Sequence, residues 1–119
     1  MANQIKYKLS GALNIVGDKS ISHRSLIISA MAIGKSEITN LLESEDILST
    51  IKVLKALGIK IKKHLTKWVV IGNGTNGFIQ PNEILDCGNS GTTSRLMLGA
   101  TSSNPIFATF TGDKSLCCR

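Results

Sequence analysis

The sequence predicts a mixed α/β (α+β) fold, and three observations carry that reading. Apolar residues recur at helical spacing in some stretches and alternate in others, so that helix and strand patterns succeed one another along the chain. Glycines stand at the junctions between these patterns. No linker or low-complexity tract divides the 119 residues, which suffice for one ordinary domain. A hydrophobic fraction of 42% permits a core, and at 4% aromatic content that core must be mostly Ile, Leu, Val and Ala. Only two prolines occur, which argues against a disordered chain.

The elements follow in order. Gln4–Leu9 and Ala12–Val16 read as short extended segments with Gly11 between them. Ser20 to Ile33 reads as a helix, with Ile27, Ala30 and Met31 among its buried positions and Gly34 as its stop. Ser36 to Leu42 reads as a strand. The next helix is better marked: Ser44 is its expected cap, Glu45 and Asp46 complement the positive end of its dipole, and Ile47, Leu48, Ile51, Leu54 and Leu57 recur at helical spacing before Gly58. Ile59-Lys60-Ile61-Lys62 alternates as a half-buried strand should, with Trp68-Val69-Val70-Ile71 as its hairpin partner. A similar module then begins: a strand at Glu83 to Asp86, a turn at Gly88 to Gly91, a helix at Thr92 to Thr101 and a strand at Pro105 to Thr111.

Fourteen Lys and Arg against eight Asp and Glu give a net charge of +6. Such a surface attracts anions, whether nucleic acid, acidic lipid or phosphorylated metabolites, and charge alone does not choose among them. Lys55, Lys60, Lys62, Lys63 and Lys67 read as a solvated face. The three cysteines lack zinc or C-x-x-C spacing, and the adjacent pair Cys117-Cys118 is poorly placed for a bridge, so reduced thiols and a cytoplasmic location are expected. The longest apolar run, Leu26 to Ile33, is far too short to span a membrane, and the N-terminal stretch is broken by Ser10, Asn14 and Asp18, unlike a signal peptide.

Two segments carry a chemical pattern. In Gly17-Asp18-Lys19-Ser20-Ile21-Ser22-His23-Arg24 a glycine turn opens a helix, whose first amides favour anions. Lys19 adds charge and Ser20 a hydroxyl. Arg24 lies four residues after Ser20, so both project from one helix face, and a guanidinium can grip an oxyanion bidentately. The plainer reading is a capped helix with surface charges. The spacing is not that of a P-loop, because Asp18 separates Gly17 from Lys19. In Asp86-Cys87-Gly88-Asn89-Ser90-Gly91-Thr92-Thr93-Ser94-Arg95 two glycines permit close backbone approach before another helix start. Asn89 and Thr92 offer neutral hydrogen bonds, and Gly91 leaves room where a side chain would intrude. Here the plainer reading is a tight turn capped by Ser90 or Asn89.

A literal G-x-G-x-x-G at Gly72 to Gly77 is read as a loop, since no helix follows and Met97, not an acid, stands about twenty residues onward. His23 and His64 read as packing or surface residues, Trp68 as core, and, by composition, Gly112-Asp113-Lys114-Ser115-Leu116-Cys117-Cys118-Arg119 as a turn with charges.

Taken together, GDKSISHR, LLESEDILSTIKVLKALG, LDCGNSGTTSRLMLGA and FTGDKSLCCR resemble the 3-phosphoshikimate 1-carboxyvinyltransferase family, also called 5-enolpyruvylshikimate-3-phosphate (EPSP) synthase, over essentially the whole chain. A sister enzyme acting on UDP-N-acetylglucosamine shares the fold but has lysine-asparagine where Lys19-Ser20 stand, so the pattern favours the shikimate branch. The resemblance implies a transfer of the enolpyruvyl group of phosphoenolpyruvate to the 5-hydroxyl of shikimate 3-phosphate, on the way to chorismate and the aromatic amino acids, with no metal or organic cofactor. By that resemblance Lys19 contacts both substrates and comes closest to a catalytic assignment. Ser20 and Arg24 hold shikimate 3-phosphate. Asn89, Gly91, Thr92 and Arg119 hold phosphoenolpyruvate, at the place where glyphosate also binds in the family.

The family fold implied is an inverted barrel of two domains, each built from βαβαββ units, here reaching about one and a half units. Residues 1–17 then belong with the opposing domain, and 18–119 form the first part of the substrate-binding domain. Family members are several times longer, so the chain reads as a fragment, inactive alone, whose partners are the two small substrates and the missing C-terminal part. Neither nucleic acid nor membrane is expected as a partner, and the full-length family is usually monomeric. The alternatives are a vestigial or split-gene fragment without activity, or a small basic nucleic-acid-binding module, against which the lack of aromatics interleaved with basic residues speaks.

Overall fold

In a computed structural model, residues 7–119 are described, and four helices and five strands follow in the order α1 (Lys19–Met31), β1 (Ile33–Thr39), α2 (Glu45–Ala56), β2 (Lys60–His64), β3 (Lys67–Asn73), β4 (Leu85–Asp86), α3 (Gly91–Thr101), β5 (Phe110–Thr111) and α4 (Lys114–Cys117). β1, β3 and β2 form an antiparallel sheet in that spatial order. β1 and β2 therefore flank β3 and run parallel to each other, and α2 makes the crossover that such a pair requires. β4 and β5 pair in parallel, with α3 as their crossover. The mixed α/β expectation holds, with strands and helices alternating as read from the periodicity.

The core lies between α1, α2 and one face of the sheet. On β3 the side chains alternate, with Trp68, Val70 and Gly72 buried. Leu26, Ile47, Leu54 and Leu57 are fully enclosed, and truncating side chains of this kind costs about 2–5 kcal/mol each. Gly72 has no room for a Cβ because the carbonyls of Ser29, Ala30 and Ala32 at the end of α1 crowd it. The first glycine of the literal G-x-G-x-x-G is thus a packing contact, and no helix follows the motif. Trp68 is core, as expected. Its indole N–H donates to Glu43 at 3.1 Å, and Lys63, which also pairs with Glu43, sits 5.9 Å from the ring centre.

Several boundaries differ from expectation, for identifiable reasons. The helix expected over Ser20–Ile33 begins at Lys19, capped by Asp18, and ends at Met31. Gly34, expected to stop it, lies inside β1, which begins at Ile33 because Gly72 and Asn73 are there to pair with it. Met31 is half-buried. Ser44 occupies the cap position of α2 but makes no capping bond, and its hydroxyl has no partner among the described residues. Glu45 and Asp46 in the first turn still complement the positive end of the helix dipole. The strands expected at Glu83–Asp86 and Pro105–Thr111 shrink to two residues each, since among the described residues they have only each other to pair with. The segment 112–119, expected as a turn, instead holds a short helix over Lys114–Cys117, because the Asp113 carboxylate caps it by accepting the Leu116 amide. Of the expected segment Gln4–Leu9, residues 4–6 lie outside the described residues. From Tyr7 to Asp18 the chain joins no ladder, leaving Leu9, Leu13, Ile15 and Val16 exposed. No helix among the described residues is long and apolar enough to cross a membrane.

Candidate anion-binding cleft

Lys19, the first residue of α1, and the start of α3 line one cleft of about 600 Å³, while Gly17, Asp18 and Ile21 line a separate hollow. At the start of α1, the Asp18 carboxylate accepts the Ile21 amide at 2.7 Å and its carbonyl the Ser22 amide at 2.9 Å. Lys19 follows immediately and lines the cleft. At the start of α3, the buried Ser90 hydroxyl accepts the Thr93 amide at 3.0 Å and its carbonyl the Ser94 amide at 3.1 Å. The amides of Gly91 and Thr92 remain at the open end of the helix dipole, where anions bind. Gly91 and Thr92 both line the cleft.

Cations surround these amides. Arg95, one turn into α3, and Arg119, after α4, line the cleft with Lys19. Asp46 from the first turn of α2 is the one side-chain carboxylate in the lining among the described residues, and it pairs with Lys19. The balance is three cations to one side-chain carboxylate, so the cleft favours a multiply charged anion.

Asn89 has two jobs at once. Its amide N–H donates to Asp113 at 2.6 Å, and its carbonyl accepts from Arg119 at 3.2 Å. Arg119 also donates to Ser115 at 3.3 Å, so its fork is oriented by both partners. The Leu116 amide, which caps onto Asp113, holds the Asp113 carboxyl below the usual range, with the Asn89 hydrogen bond adding to the effect. A Cβ on Gly91 would come within 3.4 Å of the Arg119 guanidinium. Gly112 is confined by the Gly88 carbonyl and Leu116, which brings the α4 segment close to the α3 start.

Five residues singled out in the sequence, Lys19, Asn89, Gly91, Thr92 and Arg119, thus meet in one place. Ser20 and Arg24 are exposed on α1 and lie outside this cleft's lining. Arg95 and the cleft role of Asp46 escaped the sequence reading. Arg95 was within reach of it, since Gly91 and Arg95 are four apart on one helix, the spacing applied to Ser20 and Arg24. Asp46 was not, because its partner lies on another helix. His23 is buried and hydrogen-bonded to Thr50, a packing role as expected, and His64 is exposed. Cys87 is buried, which pushes its thiol up to about 11 with Asp86 contributing, while Cys117 and Cys118 are exposed and free.

The cleft thus gathers the start of α3, Lys19 of α1 and two arginines on a mixed α/β unit. The family described as EPSP synthase (3-phosphoshikimate 1-carboxyvinyltransferase) matches residues 3–119, and the chain belongs to that family. It is 51% identical over 109 residues to a 3-phosphoshikimate 1-carboxyvinyltransferase of Dinoroseobacter shibae, covering 91% of this chain and 24% of that protein. With the Ruegeria sp. protein of the same name the identity is 52% at the same coverage. The solved EPSP synthase of Acinetobacter baumannii superposes with a TM-score of 0.86 at 37% identity, covering 92% of this chain and 25% of that one. The chain therefore spans about a quarter of the length of the relatives it matches.

Proposed function

We infer that this chain supplies one wall of a cleft for phosphoenolpyruvate and shikimate 3-phosphate, within a protein that transfers the enolpyruvyl group to the 5-hydroxyl of the latter. The observation that supports it most is the convergence of Lys19 with Gly91 and Thr92. Both proposed substrates are polyanions that repel each other, and amides and cations fixed beforehand offset that repulsion without reorganising. In this reading Gly91, Thr92 and Arg119 hold phosphoenolpyruvate, with Asn89 aiming the Arg119 fork, and Lys19 stands between the two substrates. Ser20 and Arg24 hold shikimate 3-phosphate from the exposed side of α1. The binding needs no metal or organic cofactor.

Binding and catalysis separate at this point. Among the described residues the one side-chain carboxylate of the lining, Asp46, is tied to Lys19, and His23 is buried away from the cleft. The chain thus brings binding groups and leaves proton transfer to the remainder of the family's length, so that 119 residues alone bind anions without turnover. In this reading the segment 1–17 belongs with the opposing domain, in keeping with the exposed Leu9, Leu13, Ile15 and Val16, while 18–119 form the first part of the substrate-binding domain.

Titration of the isotope-labelled chain with phosphoenolpyruvate tests the reading. The Gly91 and Thr92 amide resonances are expected to move together, and Lys19→Ala is expected to weaken the response. Saturating shifts confined to residues outside the cleft would reject the assignment. Formation of the enolpyruvyl product by the purified chain would reject the separation of binding from turnover.

A further inference from the structure

Behind the cleft, the helices that carry Lys19 and Asp46 meet a second time. His23 follows Lys19 by four residues on α1, and Thr50 follows Asp46 by four on α2, so the two pairs stack one turn apart. The deeper pair is enclosed: His23 is 1% and Thr50 0% exposed, with His23 Nδ1 2.8 Å from Thr50 Oγ1. From there the contacts run into α3. Thr50 Oγ1 lies 2.7 Å from Thr93 Oγ1. Thr93 Oγ1 in turn lies 2.7 Å from the Ser90 hydroxyl and 3.2 Å from the Asp46 carbonyl oxygen.

Each hydroxyl has one proton and two lone pairs. The Thr93 hydroxyl donates to Ser90 Oγ or to the Asp46 carbonyl oxygen, and Thr50 Oγ1 reaches the same carbonyl at 3.5 Å. With Nδ1 of a neutral His23 protonated, Thr50 Oγ1 accepts from the ring. What remains is the Nε2 lone pair of His23, which is enclosed and has no partner among the described residues. The opposite tautomer would leave an N–H orphaned at that place, the rarer arrangement in folded proteins. Neutrality fits the surroundings: burial lowers the His23 pKa, the Asp46 carboxylate opposes that, and Lys19 adds to the lowering.

We propose that Thr93 is a positioning residue for the cleft: through His23, Thr50 and Ser90 it ties the start of α3 to the α1–α2 pair and so sets the distance between the Gly91–Thr92 amides and Lys19. Its hydroxyl meets the backbone of Asp46, whose carboxylate holds Lys19, and its amide meets the cap of α3. One residue therefore touches the supports of both sides. The proposal rests on the reading of the cleft as an anion site, and its test separates the two.

The test uses Thr50→Val and Thr93→Val, which remove a hydroxyl at constant shape, and Thr50→Ser and Thr93→Ser, which retain it. Amide exchange on the unliganded chain reads the relay without any ligand. Thr50→Val is expected to speed exchange of the Thr93 and Ser94 amides about tenfold while leaving Val70, in the middle of β3, unchanged, and Thr50→Ser to restore protection. Inorganic phosphate, followed at Gly91 and Thr92, is expected to bind about tenfold more weakly to either valine variant and normally to the serine variants. Nitrogen resonances of the His23 ring are expected to show Nδ1 protonated. If the parent chain binds phosphate and both valine variants bind it equally, with exchange unaltered, the relay is overturned and the cleft reading stands. If the parent shows no phosphate response while Thr50→Val still loosens α3 locally, the cleft reading falls and the relay stands as a structural tie only. Uniform acceleration at Val70 and Thr93 alike, or an Nε2-protonated ring, overturns the relay.

Discussion

The starts of α1 and α3 do the same thing by different means. Asp18 caps α1 from an exposed position, and the cation of that helix start, Lys19, is the next residue in the chain. Ser90 caps α3 from a buried one, and the cations beside it come from one turn along the helix and from beyond α4. The first site is therefore assembled locally, and the second by packing. The comparison teaches that a helix start becomes a binding site either through its own sequence neighbours or through the fold around it, and that only the first kind survives when packing is loosened.

The largest expected difference concerns the approaches to the two helices. A thiol placed on the exposed side, Val16→Cys, is expected to react with maleimide at the rate of a free cysteine. Cys87, buried and raised to about 11, is expected to react more slowly by a factor on the order of 100, limited by opening of the fold. Peptide mass mapping distinguishes both from Cys117 and Cys118. Comparable rates would mean that the α3 approach is not packed as described.

Next come the caps. Ser90→Ala is expected to lower stability by about 2 kcal/mol, because it removes a cap and strips Thr93 of a buried partner. Asp18→Ala is expected to lower it by about 1 kcal/mol. Denaturant titration measures both, and equal losses would erase the distinction between local and packed assembly.

The charges follow. Lys19→Ala is expected to raise the phosphate dissociation constant about tenfold, and Arg119→Lys about threefold, since lysine keeps the charge and loses the fork that Asn89 orients. A larger loss at Arg119 than at Lys19 would reverse the assignment of the dominant cation.

The smallest effect is the dependence on pH. The pKa of His23 is lowered by burial in the folded state, so the unfolded chain binds its proton more readily. Its contribution to stability is thus complete above the ordinary imidazole value of about 6.5 and is lost as pH falls below it. Thermal unfolding midpoints are expected to drop on acidification through that window. A His23→Gln variant should lack this component. A midpoint that rises on acidification would require His23 to be charged in the fold.

How much was legible beforehand follows the same division. The helix start at Lys19 could be read directly, because glycine, cap, cation and hydroxyl stand in sequence. The turn before Gly91 was legible as a close-approach site, again from adjacent residues. Gly34 misled, because a glycine after a helix pattern reads as a stop, whereas here the edge of β3 recruits it into a strand. Ser44 misled likewise: its residue type suits a cap, yet its hydroxyl points to no amide. The short strands β4 and β5 were overextended since alternation reports the potential to pair, and pairing depends on a neighbour that alternation does not reveal.

By itself the sequence determined the order of helices and strands, the two anion-type helix starts and the family pattern, all of which depend on residues close together in the chain. Only the tertiary structure decided that Asp46 holds Lys19, that Asn89 aims Arg119 and that Thr93 joins three helices. Those contacts bring together side chains from separate elements, and neither hydrophobic period nor local propensity encodes the distance at which two such elements pack.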